Sequence, residues 1–96
     1  MTTFIIIAEV TKTKLLAKHG VTPREVEQCF ENRAGRALSD TREEHQTNPP
    51  TYWFIAPTNN KRNLKVVYIL LHGKVHIKTC YEPNDTEKFI YQKHGE

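Results

Sequence analysis

The spacing of apolar and polar positions changes several times along this chain, and each change marks an element. Phe4-Ile5-Ile6-Ile7-Ala8 is a β-branched run and reads as a strand. From Glu9 to His19 the pattern reads as a helix, ended by Gly20. Lys18 and His19 fall in its last turn, where positive charge suits the helix dipole, and Gly20 suits a left-handed cap. Thr22-Pro23-Arg24-Glu25 starts a second helix: Thr22 caps, Pro23 fits the first helical position, and Glu25 completes a capping box. Val26, Cys29 and Phe30 then form a buried stripe, so Cys29 is expected in the core rather than as a nucleophile. Residues 31–50 are polar and irregular, with Leu38 anchoring a short extended piece, and Asn48-Pro49-Pro50 is a break. Strands follow at Tyr52–Ala56, Leu64–Leu71 and Lys74–Cys80. Thr86–Lys93 reads as a closing helix, capped by Asn84 or Asp85, with Phe89 and Ile90 facing inward.

His72-Gly73 lies between two strand patterns. A two-residue hairpin loop needs left-handed backbone, which glycine gives freely and histidine tolerates. Such a loop pairs Leu71 with Lys74 and Ile69 with His76. Extended without interruption, that register puts Leu64, Val66, Tyr68, Leu70, Val75, Ile77, Thr79 and Tyr81 on a face toward the helices. The other face then carries Lys65, Lys74, His76, Lys78 and Cys80 over an apolar floor, open to water. The expected architecture is α+β: an N-terminal strand and a helical hairpin on one face of an antiparallel sheet of about four strands, with a short C-terminal helix.

At 96 residues, the chain is expected to form a single domain over 1–96. Its 38% hydrophobic and 26% charged residues suffice for one modest core. The net charge of +3 comes wholly from residues 49–96, where seven Lys/Arg face four Asp/Glu; residues 1–48 carry seven of each. Lys61, Arg62, Lys65, Lys74 and Lys78 have no acid among them, a distribution that attracts phosphates. Two distant cysteines, an N-terminus without signal-peptide character and no membrane-length apolar run point to a cytoplasmic location.

No metal or other cofactor is expected. His72 and His76 lack ligand spacing, and the chain has no glycine-rich phosphate loop and no Gly-x-Ser-x-Gly. Glu43-Glu44 reads as a solvated run. What remains is the cationic sheet face with His76, plus Arg42 and His45 in the irregular segment. These suit RNA cleavage without metal, in which a ribose 2′-OH attacks the adjacent phosphate. Histidine serves the proton transfers, and Lys or Arg the phosphate charge. The candidate catalytic residues are Arg42, His45 and His76; the candidate RNA contacts are Arg62, Lys65, Lys74, Lys78 and Tyr81. Residue by residue these are also what a solvated surface carries; the alternative function is a module that keeps the fold and binds RNA or protein without catalysis.

Lys18-His19-Gly20-Val21, Glu25-Val26, Phe30 and Asp40-Thr41-Arg42-Glu43-Glu44-His45 form an ordered series of short matches. Leu64-Lys65-Val66-Val67-Tyr68, Gly73, Ile77-Lys78-Thr79-Cys80, Glu87 and Tyr91 continue it. In this series the chain resembles the BrnT family of bacterial toxins. The resemblance implies a RelE-like fold, ribonuclease activity that stalls translation, and a tightly bound antitoxin. Thr79-Cys80-Tyr81 stands where the family often has Ser-Ala-Arg, and Thr51 or a neighbour where an Arg usually precedes the second strand.

Overall fold

The computed structural model describes residues 5–39 and 51–95. Local sequence dictates the helical hairpin. Helix α1 (Glu9–His19) stops where Gly20 takes φ 61°. The Gly20 and Val21 N–H groups close back on the Leu16 and Leu15 carbonyls, both at 3.1 Å. A side chain in that left-handed conformation would be strained. Helix α2 (Pro23–Asn32) begins with the expected box: Thr22 accepts from the Glu25 N–H, and Glu25 accepts from the Thr22 N–H. Helix α3 (Asp85–His94) repeats the device with Asn84 and Glu87.

Strands β1 (Ile5–Ile6), β2 (Leu38–Ser39), β3 (Thr51–Pro57), β4 (Asn63–Leu71) and β5 (Lys74–Tyr81) form one sheet in the order β1-β5-β4-β3-β2. It has five strands rather than about four, and it is mixed: β1 runs parallel to β5, pairing Ile5 with Val75 and Ile6 with His76. β2, β3, β4 and β5 each run antiparallel to the strand before or after them in the chain, so β5, like β3, comes back in the direction of β1. The His72-Gly73 turn forms as expected, with φ 53° and 74°. Leu71 pairs with Lys74, Ile69 with His76 and Tyr68 with Ile77, all in the expected register.

Beyond that point the register departs from expectation. Val67 pairs with Thr79, Val66 with Cys80 and Lys65 with Tyr81, so Lys78 is an extra residue in β5. A bulge of this kind reverses the facing of everything after it. Cys80, expected on the open face, is fully buried with Val66. Thr79 and Tyr81, expected toward the helical hairpin, lie on the opposite face.

The core fills the space between sheet and hairpin. Val21, Val26, Cys29, Phe54, Leu64, Val66 and Cys80 are fully buried there, and Phe30 meets Phe54 edge-on at 4.8 Å. α3 packs on the other face, with Tyr91 against Trp53 at 5.7 Å. This corrects the expected facing of α3: Tyr91 is its buried residue, while Phe89 and Ile90 are exposed. The Arg36 N–H ties the chain before β2 to the Gly95 carbonyl at 2.9 Å. A Cβ on Gly35 would collide with that carbonyl and with the Tyr91 hydroxyl. Among the described residues no helix is long and apolar enough to cross a membrane.

Candidate nucleic-acid interface

Strand alternation positions three basic side chains. Lys74 closes the hairpin turn, His76 is paired with Ile69 on one side and Ile6 on the other, and Lys78 is the bulge residue. Val75 and Ile77 point into the core, so Lys74, His76 and Lys78 rise on the face away from the helical hairpin. Lys74 and Lys78 are exposed and His76 is half-buried, with half-buried Val67 and Ile69 as the floor. This part of the expected basic face forms.

Lys65 belongs to the same face but not to its open part. α3 covers it, leaving it 8% exposed. Its ammonium pairs with Glu87 at 2.6 Å and lies 4.6 Å from the centre of the Trp53 ring and 5.6 Å from that of Tyr81. The Tyr81 hydroxyl donates to the same Glu87 oxygen at 2.8 Å. Burial raises the pKa of the Tyr81 phenol, and the Glu87 hydrogen bond raises it further. Burial alone would raise the Glu87 carboxyl too. The hydrogen bonds from Lys65, the Asn84 N–H and Tyr81 outweigh it and hold Glu87 below the usual carboxylate range.

Arg62 is equally committed. Its guanidinium donates to the His19 carbonyl at 2.8 Å and the Gly20 carbonyl at 3.0 Å. It also pairs with Glu25 at 3.3 Å and Glu82 at 3.0 Å. It therefore caps the negative end of α1 while holding the start of α2 and the end of β5. Lys65 and Arg62 are engaged internally, whereas Lys74 and Lys78 are exposed on β5. Arg42 and His45 lie outside the described residues.

Glu87, Trp53 and Arg33 are the residues that sequence reasoning missed. The Asn84-x-x-Glu87 box was a signal for the first of them. Arg33 stands 5.3 Å over the Phe54 ring, and its charge partly offsets the rise that burial causes in the Tyr68 phenol pKa.

The two thiols offer no nucleophile. Burial pushes Cys29 up to about 12, aided by Glu25, and burial raises Cys80 as well. Neither thiol is expected to react with a disulfide reagent at pH 8 in the native protein, and both should react once denaturant is added. Prompt reaction of either native thiol would contradict their burial. Among the described residues no group of three or more His, Cys, Asp or Glu is gathered as for a metal ion.

The crystal structure of the Brucella abortus ribonuclease toxin BrnT superposes with a TM-score of 0.59, covering 88% of this chain and 100% of that one. This chain has the BrnT fold. Sequence identity is 15%, so the likeness lies in the architecture. No family profile matches the sequence, and no curated protein matches it. In the BrnT fold as this chain builds it, His76 stands between two outward lysines on β5, beside the face that α3 covers.

Proposed function

We propose that this chain is a BrnT-like ribonuclease that binds RNA on the open part of its sheet and cleaves it without a metal. The observation that carries the reading is the Lys74–His76–Lys78 row on one face of β5, on the fold of a ribonuclease toxin. Lys74 and Lys78 attract the phosphates, and Arg42 adds a further cation. The ribose 2′-OH attacks phosphorus, and the bond to the 5′-oxygen breaks. His76 and His45 share the proton transfers, one accepting from the 2′-OH and the other donating to the leaving oxygen. The products are a 2′,3′-cyclic phosphate and a free 5′-OH. Lys65, Arg62 and Tyr81 act in this reading through the framework they hold. The activity belongs in the cytoplasm, with an antitoxin protein to neutralise it.

A second reading, a module that binds RNA or protein without cutting, draws support from the commitment of Lys65 and Arg62 to internal ion pairs. Fewer cations then remain to stabilise a cleavage transition state.

One experiment separates the two. Incubation with messenger RNA should yield fragments with cyclic phosphate ends, and His76→Ala should abolish them while leaving RNA binding near the parent level. Contacts from Lys74, Lys78 and Arg42 give a log–log salt slope of about −2.1 for single-stranded RNA, at roughly −0.7 per phosphate. Lys78→Ala should lower it by about 0.7. Lys12→Ala should leave it unchanged, because Lys12 is on α1 and pairs with Glu9. Binding without fragments would favour the second reading, and a flat salt response in the parent would sink both RNA readings.

A further inference from the structure

We propose that α3 is a self-association surface, pairing antiparallel with α3 of a second copy of this chain. Thr86, Phe89, Ile90 and Lys93 recur at i, i+3, i+4 and i+7, so they form one stripe along the helix. Glu87 and Tyr91 hold the opposite side of α3 against the sheet. The stripe therefore faces outward, with Phe89 63% and Ile90 40% exposed. An amphipathic helix usually buries its apolar stripe in its own core. Here the ion pair and the tyrosine fix the helix the other way round, and a phenylalanine is left in water.

The charges on this helix say which partner fits. Asp85 lies in the first turn and Lys93 and His94 in the last. Turned end for end, the stripe matches itself. Phe89 and Ile90 meet the same pair on the second copy, and Asp85 of each copy comes beside Lys93 of the other. A parallel arrangement would set like charges together. A two-fold contact requires this kind of self-complementarity. The exposed Val10 and Leu16 lack it, because α1 carries Lys12, Lys14 and Lys18 against the single acid Glu9. The pairing uses none of Lys74, His76 or Lys78, so it stands apart from the RNA reading.

Sedimentation velocity of the full chain tests it, from about 10 µM to about 1 mM, the range suited to a small interface. The parent should pass from monomer to dimer across the series. Phe89→Asp should stay monomeric throughout with its far-ultraviolet circular dichroism unchanged. Ile90→Lys carries the same expectation should Phe89→Asp lose the fold. Asp85→Lys should weaken the dimer roughly three- to tenfold, and adding Lys93→Asp to it should restore the affinity. A parent that stays monomeric overturns the proposal and leaves the stripe to a different protein. A dimer that survives Phe89→Asp and Ile90→Lys overturns it as well.

Discussion

Replacing Glu87 with Ala should cost about 3 kcal/mol of stability, because it leaves a buried ammonium without its counter-ion. Lys65 and Glu87 have side chains only 10% and 17% exposed, so water replaces little of what is lost. The double replacement Lys65→Met with Glu87→Leu should recover most of the loss, since it removes both charges and keeps the volume. Urea denaturation of the parent and the two variants measures this. A loss under about 1 kcal/mol for Glu87→Ala would mean the pair is solvated and does not pin α3. The pH dependence has a definite sign. The folded-state pKa of Glu87 lies below its unfolded value, so its contribution is present above the ordinary carboxylate range. It is lost as pH falls through the depressed folded value. The double variant should lack that part of the acid limb.

Arg62→Met should cost about 2–3 kcal/mol, and Arg62→Lys should restore less than half of it. The guanidinium reaches two carbonyls at the end of α1 and two carboxylates, Glu25 and Glu82, at once. A single ammonium is a compact charge with no fork, so it cannot span these acceptors together. Without Arg62, Glu25 keeps its place in the capping box but loses its counter-charge. Thermal unfolding of the three proteins gives the comparison. Equal stability of Arg62→Lys and the parent would show that simple charge is enough there.

Features that a few neighbouring residues decide were legible in the sequence. Gly20, the Thr22–Glu25 box and the His72-Gly73 turn each depend on residues within about one turn of chain, and each formed as read. The register from that turn held as far as Tyr68 and Ile77. It failed at Lys78 because a bulge has no signature of its own: an extra residue fits where twist and packing across the sheet favour it. That single residue is why Cys80 is buried and Tyr81 lies beside Lys65. The facing of α3 failed for a related reason. Phe89 and Ile90 have the more apolar side chains, yet Glu87 on Lys65 and Tyr91 on Trp53 set the rotation. Those contacts join segments far apart in sequence, and periodicity within the helix does not contain them. The basic face was legible in its open half, Lys74, His76 and Lys78. Its other half depended on where α3 lands.

The parallel pairing of β1 with β5 imposes an order on how the molecule assembles. β4 and β5 share a two-residue turn, so their ladder closes over short loops and is open to early formation. β1 has to wait. Its partner residues, Val75 and His76, lie 70 residues further along the chain than Ile5 and Ile6 (75 − 5 and 76 − 6). During synthesis Ile5 and Ile6 emerge well before Val75 and His76 and stay unpaired until those residues have left the ribosome. The entropy of closing so long a loop is met only after the hairpin and helices have brought the two segments together. β1 is thus the last strand expected to lock in.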